Sequence, residues 1–355
     1  MDASFTEDQE MIREAAATYL RDWSDRGGFR KQVDASALDY GSVWQEFGIE
    51  LGFAGLTIPE VQGGSGLGDL ARALVMEEMG RVLFTSPYFA SCVLAGDVLA
   101  AVGGSDAEGL LAKIASGERT ATVCSLTSGS VRSGEITGVA RNVVDGGTAD
   151  LILVIGGDSL HMVDASKAGV IRSVFRTMDL TRPQADIKFA AAPAELVASG
   201  AGLSEVYALS EARSAIALAA EQAGGAGAML DATVAYALER KQFGRLIGSF
   251  QAVKHRSADM MVLVEAARSA AYQAAALAHG PELFAQAAIA KSECSDAYFA
   301  VAGHAIQMHG GVGVTWEYDM HFHFKRARAG MGLLGSPEVW RERLAGCIGL
   351  EGTAA

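Results

Sequence analysis

Residues 240–255 read Arg-Lys-Gln-Phe-Gly-Arg-Leu-Ile-Gly-Ser-Phe-Gln-Ala-Val-Lys-His, and this stretch is the most informative in the chain. The guanidinium of Arg240 offers a planar, permanently charged fork that suits a pyrophosphate. Phe243 can pack beside a nucleotide or lie in the core, and Gly244 is predicted to end the preceding helix. Gln251, in the next predicted helix, has both a donor and an acceptor for an adenine edge. The stretch predicts either a nucleotide site or an ordinary surface turn.

A second stretch follows some sixty residues later, where residues 307–313 read Gln-Met-His-Gly-Gly-Val-Gly. Glycines without a Cβ let the backbone approach a phosphate or a ring closely. The candidate contacts are therefore Gln307, Gly310, Gly311 and Gly313. A lone glycine-rich turn is weak evidence, because it can equally be a simple helix end. Its distance from Arg240 is what favours a binding site.

Composition restricts the kinds of partner. The chain has 355 residues, with 29 Lys and Arg against 42 Asp and Glu, for a formal charge of −13. This negative field argues against nucleic acid and anionic membrane, although local cations can still bind an anion. The four cysteines are scattered and no metal-binding spacing is present, so we expect free thiols and no metal. The polar N-terminus and the lack of an apolar run of about 18–20 residues predict a soluble, cytoplasmic protein.

Three regions with different sequence patterns follow one another along the chain. Residues 1–119 are predicted to form a helical domain, in which Thr6 caps the first helix and Gln9 completes a capping box. Residues 120–200 are predicted to form a small β-domain, with strands near 121–126, 151–155, 160–163 and 185–190. Residues 201–355 are predicted to form a helical bundle from helices at 204–239, 248–279, 281–310 and 320–346. The predicted fold class is mainly α with a small β-domain.

These motifs, in this order, resemble the acyl-CoA dehydrogenase family, with its N-terminal helical domain, middle β-domain and C-terminal four-helix bundle. The resemblance covers nearly the whole chain and is strongest over residues 211–326. It implies FAD as cofactor, an acyl-CoA thioester as substrate, and electron-transfer flavoprotein or a similar acceptor. It also implies that Arg240, Phe243, Gln251 and the Gln307 turn hold the FAD of a neighbouring subunit.

The resemblance also locates where a catalytic glutamate belongs. Members of the family use a glutamate to remove a proton beside the thioester carbonyl, while the flavin receives a hydride. Counting forward from Gln307, the common position of that glutamate is Leu334. Counting back from Arg240, the position used by a minority of members is Ser214. Neither can be the base. Glu211 and Glu221 are nearby acids on the same predicted helix, where solvent exposure or a capping role is the expected alternative to catalysis.

The half of the site that covers the flavin ring is reduced as well. Members usually carry a Thr-Glu-Pro-x-x-Gly-Ser-Asp loop and a tryptophan-bearing strand. Here the loop reads Leu-Thr-Ser-Gly-Ser from residue 126, which leaves Thr127 as a candidate flavin contact, and the later strand from residue 151 has no tryptophan.

This asymmetry resembles the shortened, base-lacking subunit of heterotetrameric acyl-CoA dehydrogenases. It implies an α2β2 assembly with a full-length paralogue, and by analogy bulky substrates such as steroid side chains. The alternatives are a self-sufficient homotetramer that uses Glu211 or Glu221 as base, and a structural subunit that has lost flavin.

Overall fold

The computed structural model describes residues 5–35, 39–132 and 134–350, which form two compact units. The helical unit contains the described residues within Met1–Phe29, Asp69–Phe84 and Ala215–Ala355. The sheet unit contains those within Arg30–Gly68 and Thr85–Ser214. The two units differ in architecture.

The α-helices are α1 (Glu7–Asp25), α2 (Gly28–Asp34), α3 (Gly41–Val43), α4 (Gly68–Arg81), α5 (Gly96–Val102), α6 (Ser105–Ala115), α7 (Leu203–Glu239), α8 (Gln251–Ala276), α9 (Leu283–His309), α10 (Met320–Gly332) and α11 (Pro337–Cys347). Trp44–Glu50 and Phe89–Ala95 are π-helical, and Phe53–Gly55, Glu60–Gln62, Ile247–Ser249 and Gly310–Val314 are 3₁₀ turns. Among the described residues, no helix combines the length and apolarity needed to cross a bilayer.

The start of α1 follows from its sequence. The Thr6 hydroxyl accepts a hydrogen bond from the Gln9 backbone amide at 3.2 Å, and the Thr6 amide donates to Gln9 Oε1 at 3.0 Å. These reciprocal bonds satisfy two amides that the first turn leaves without helical partners. The predicted capping box is therefore confirmed.

The sheet unit contains two four-stranded sheets. Their strands are β1 (Ala121–Ser125), β2 (Ser128–Arg132), β3 (Glu135–Val144), β4 (Leu151–Ile155), β5 (Ser159–Asp164), β6 (Val170–Phe175), β7 (Gln184–Pro193) and β8 (Glu195–Ser199). One sheet has the order β1-β4-β5-β8, with β1 and β4 parallel and the other pairs antiparallel. The other is antiparallel, in the order β2-β3-β7-β6. Buried residues of both sheets, among them Ile136, Ile152, Val163 and Phe189, form one core between them.

The helical unit has its own core, to which α7, α8, α9 and α10 contribute, among others, Met229, Met260, Val301 and Ala327. Two glycines set how closely α4 approaches α7. A Cβ on Gly80 would lie 1.9 Å from the carbonyl oxygen of Glu221, and one on Gly224 would lie 1.9 Å from that of Glu77. Only residues without a Cβ allow the two backbones to touch in this way.

The predicted fold class is confirmed, with differences in detail. The helix predicted over 320–346 is two helices, because Leu334 and Gly335 both have positive φ and break it after Gly332. Four strands of the sheet unit were not predicted. Of these, β2, β6 and β8 are edge strands with mostly exposed side chains, and bulges interrupt the alternation of β3. The division into three domains at 119 and 200 stays a prediction.

Candidate functional site

The motif that follows α7 is a β-hairpin. Strand β9 (Lys241–Gln242) pairs antiparallel with β10 (Arg245–Leu246) across a two-residue turn. Both turn residues have positive φ, 54° for Phe243 and 76° for Gly244, as a type I′ hairpin turn requires. The prediction that Gly244 ends the helix is wrong, because α7 already ends at Glu239. Glycine is used here for the turn instead.

Phe243 lies at the tip of this hairpin with 92% of its surface exposed. The placement in the core that the sequence left open is therefore wrong. Its ring makes an edge contact with Phe250 at 6.1 Å between centroids, and the Arg245 guanidinium lies 4.0 Å over the other ring. A phenylalanine with a left-handed backbone and an almost fully exposed side chain contributes little to the stability of its own chain. Such a residue is typical of a surface completed by another molecule.

The hairpin and the start of α8 carry concentrated positive charge. Between Glu239 and Asp259 there are five Lys and Arg residues and no acid, in a chain whose net charge is −13. All five are exposed, and so is Gln251, the first residue of α8: Arg240, Lys241, Arg245, Lys254 and Arg256. This local field is suited to an anionic ligand despite the acidic chain.

An aromatic stack joins this hairpin to the glycine-rich turn. Tyr236, one helical turn before Arg240, stacks on His309 at 4.3 Å with 20° between the rings, and Tyr318 meets both edge-on. His309 Nδ1 lies 2.8 Å from the Ala305 carbonyl oxygen, and burial lowers the pKa of His309. The neutral imidazole can therefore donate to that carbonyl, which fixes the ring. The ends of α7 and α9 are thus held side by side.

The three glycines after α9 have different structural roles. Gly310 ends the helix with a φ of 66°, and a Cβ on Gly313 would lie 3.0 Å from that of His309. Gly311 has no positive φ, and a Cβ there would have no atom of its own chain within 4 Å. The chain itself therefore does not require glycine at 311. An exposed backbone without a Cβ, beside an exposed Gln307, fits the close approach of a phosphate or ring.

Thr127 belongs to the sheet unit. Its amide and its hydroxyl both donate to the Val139 carbonyl oxygen at 2.8 Å, which pins β2 to β3. The side chain is exposed, and its oxygen keeps the capacity to accept a bond. Further along β3 a bulge places Asn142 at a φ of 54°, with its amide bonded to Asp186 Oδ1. Bulges of this kind are common beside functional sites.

Leu334 is half-buried in the tight turn between α10 and α11. Its φ is 58°, and its carbonyl oxygen accepts a hydrogen bond of 2.8 Å from the Trp340 indole. The buried Lys291 ammonium donates to the Gly330 carbonyl oxygen at 3.1 Å in the last turn of α10. The turn is therefore held firmly, but it presents an aliphatic side chain that cannot accept a proton.

Ser214 contacts a carboxylate that sequence reasoning missed. The Ser214 hydroxyl donates to Asp97 Oδ2 at 3.2 Å, and Arg213 Nη2 lies 3.7 Å from Asp97 Oδ1. Asp97 is only 2% exposed, so it serves as an internal partner of α7. An aspartate inside the otherwise apolar α5 was the signal that a buried polar contact existed.

Of the two alternative acids, Glu221 is 5% exposed and pairs with the buried Arg326 at 3.1 Å. The expectation that Glu221 is solvent-exposed is wrong, because this acid in an apolar helix pairs with a buried cation. Glu211 is half-buried. A glutamate held in a buried ion pair is poorly suited to abstract a substrate proton.

Comparisons with known proteins agree over nearly the full length. The model of the acyl-CoA dehydrogenase C-terminal domain matches residues 206–348, and that of the N-terminal domain matches residues 6–118. Acyl-CoA dehydrogenase IpdE2 of Mycolicibacterium smegmatis is 35% identical over 341 residues, which are 96% of this chain and 98% of IpdE2.

Two solved structures are also similar. In the ChsE4-ChsE5 complex from Mycobacterium tuberculosis, the similar chain has 26% identity and a TM-score of 0.89, with 99% of this chain and 100% of that chain covered. In a variant of the steroid ACAD Tcur3481-Tcur3483, the similar chain has 27% identity and a TM-score of 0.86, with 97% of this chain and 98% of that chain covered.

Proposed function

The chain belongs to the acyl-CoA dehydrogenase family of oxidoreductases, and from that premise we propose that it is the subunit that completes the FAD site of a catalytic partner and supplies no base itself. The partner is a full-length acyl-CoA dehydrogenase paralogue in an α2β2 heterotetramer. The complex introduces an α,β double bond into an acyl-CoA thioester and passes the electrons to electron-transfer flavoprotein or a similar acceptor.

One observation carries this proposal, namely the contrast between the two halves of the site. The half that we assign to FAD combines an exposed cationic hairpin with an open glycine turn. The base half has Leu334 and Ser214 at the family positions, and Glu221 is occupied by Arg326. A protein that acted alone would need a carboxylate free to reach the substrate.

The residues present fit FAD. Arg240 would hold the pyrophosphate with its planar fork, Gly310 and Gly311 would admit it without a Cβ, and Gln251 and Gln307 would meet polar edges. Phe243 would pack against the nucleotide or the partner. When bound, FAD supplies the acceptor for the hydride. Thr127, in the sheet unit, stays a candidate flavin contact, because its hydroxyl oxygen can still accept a hydrogen bond.

The relatives support a proposal for the substrate class. One similar structure is described as a steroid ACAD, and another is a complex of two different chains. Both support a heteromeric enzyme, and the first supports a bulky, steroid-derived acyl group. We therefore expect CoA thioesters with ring-containing acyl chains to be better substrates than short linear ones.

Co-expression with such a paralogue tests the proposal. We expect the chain alone to be nearly colourless and inactive, and the complex to show the visible flavin band and activity. Arg240→Ala should lower the flavin content of the complex, and Arg240→Lys should restore it only in part, because lysine lacks the fork. Arg21→Ala, which removes an exposed arginine of α1, is the matched control. An active, fully flavinated protein from this chain alone would refute the proposal.

The two alternatives give different results in the same experiment. A self-sufficient homotetramer predicts that Glu211→Gln or Glu221→Gln abolishes turnover of the chain expressed alone. A flavin-free structural subunit predicts that Arg240→Ala leaves the flavin content of the partner unchanged. Our proposal predicts neither result.

A further inference from the structure

An apolar groove of about 530 Å³ opens on the helical unit between α9 and α10. Gly303 and Ile306 of α9 form one wall, Phe324 and Lys325 of α10 form the other, and Val314 and Trp316 lie at its end. It is large enough to receive several side chains of another molecule. We call this feature the α9–α10 groove.

The end of the groove is apolar and open to solvent. Val314 is 63% exposed and Trp316 is 47% exposed, and the neighbouring Tyr318 is 37% exposed. Contiguous exposed apolar side chains beside a concave surface are typical of interaction sites in proteins. Aromatic residues such as Trp316 are also those that most often dominate binding energy.

Lys325 gives the groove a specific charge requirement. Its ammonium lies 6.0 Å from the ring centre of Trp316 and 5.6 Å from that of Phe322, and its hydrogen bond is to His321 Nδ1 at 3.3 Å. Among the residues that the structure describes, no carboxylate lies within ion-pair distance of it. A half-buried cation against aromatic rings can pair with a carboxylate of another molecule.

The groove is continuous with the surface assigned above to the partner's FAD. Ile306 directly precedes Gln307, and Val314 directly follows Gly313. We propose that the α9–α10 groove is a docking surface for an apolar segment with a carboxylate on the catalytic partner subunit. This inference rests on the proposed function and adds a protein contact to the shared cofactor site.

A second copy of this chain is a poorer occupant. In a two-fold contact both copies contribute the same patch, and close to the two-fold axis the cations of one copy approach those of the other. The exposed cations of residues 240–256 lie beside the adjoining glycine turn and would add to the repulsion. A different subunit, with acidic side chains at this contact, fits the charge of the groove.

Two variants change the groove without touching the FAD residues. Gly303→Phe fills it, and a Cβ at 303 would have its nearest neighbour, Phe324, at 3.8 Å, an ordinary contact distance. Lys325→Glu reverses the charge. Arg328→Glu makes the same change at an exposed position of the same helix and serves as the control. Thermal melting of each isolated variant verifies that it folds.

The measurement is sedimentation velocity of the chain mixed with the paralogue that restores activity, at saturating FAD. We expect Gly303→Phe and Lys325→Glu to weaken assembly at least about tenfold, and Arg328→Glu to change it less than about twofold. Arg240→Ala should lower flavin content while the subunits still associate, which separates the cofactor site from the groove.

Three results would overturn the inference. Unchanged assembly of both folded groove variants with the paralogue would show that the groove is not the contact, and the proposed function would survive. Self-assembly of this chain that Gly303→Phe disperses would make a second copy the occupant. If no paralogue assembles with the chain or restores activity, the proposed function fails, and this inference fails with it.

Discussion

Substitution of Gly224 by alanine tests how α7 is held. A Cβ at this position would lie 1.9 Å from the Glu77 carbonyl oxygen, whereas real Cβ contacts are essentially never below 3.0 Å. The helices would have to separate by more than 1 Å. The obstacle is backbone, so no side-chain rotation can relieve it. The side chain of Glu77, which bonds Arg268 Nε at 2.9 Å and the Tyr272 hydroxyl, would move with α4.

The expected change in the free energy of unfolding of Gly224→Ala is the sum of three contributions. Overpacking against a rigid neighbour costs about 3 kcal/mol, at the upper end of the usual range. Loosening the charged hydrogen bonds of the buried Glu77 adds about 1 kcal/mol. Alanine in place of glycine in a helix recovers about 1 kcal/mol. The net loss is about 3 kcal/mol, which in a chain of 355 residues lowers Tm by roughly 4 °C.

The matched control is Gly227→Ala, three residues further along α7. Its Cβ would meet first the end of the flexible Arg81 side chain, at 3.2 Å, and this group can move away. We expect this variant to match or slightly exceed the wild-type Tm in differential scanning calorimetry. If Gly224→Ala were as stable as Gly227→Ala, the close contact of α4 with α7 would not be what positions α7.

Three further predictions concern the site and its surroundings. Glu221→Gln should destabilise the folded chain by about 3 kcal/mol, because it removes the carboxylate that pairs with the buried Arg326 at 3.1 Å. Chemical denaturation measures this loss of stability, and loss of complex activity without loss of stability would contradict the prediction. Burial lowers the pKa of His323, bonded to the Tyr298 hydroxyl, to about 3. The unfolded chain therefore binds the extra proton as pH falls from about 6.5 toward 3, and stability should decline by up to about 1.4 kcal/mol per pH unit. In a plot of Tm against pH, His323→Gln should reduce the decline of Tm below pH 6.5. An unchanged slope would show that other groups cause the decline. Phe243→Asn should relieve the strain of a left-handed backbone and leave the isolated chain at least as stable as the wild type. The same variant should lower the flavin absorbance of the complex. Unchanged absorbance would show that Phe243 does not contact the flavin site.

Local features were predictable because they depend on residues close in sequence. The Thr6–Gln9 capping box and the end of α9 at Gly310 each follow from a few neighbouring residues. The start of α8 was predicted at 248 but lies at Gln251, because Ile247–Ser249 form a 3₁₀ turn. Gly244 was misread because a glycine after a helix can end it or form a hairpin turn. The pairing of β9 with β10, and not the glycine itself, decides between them.

The amino-acid sequence by itself determined the order of helical and β segments, the motif at Arg240, and the absence of a carboxylate at positions 214 and 334. Only the tertiary structure decided that Phe243 is exposed, that Glu221 pairs with Arg326 across 105 residues of sequence, and that Ser214 meets Asp97 across 117. The physical reason is that propensities and caps act within a helical turn. Burial and ion pairing instead depend on which distant segments the folded chain brings together.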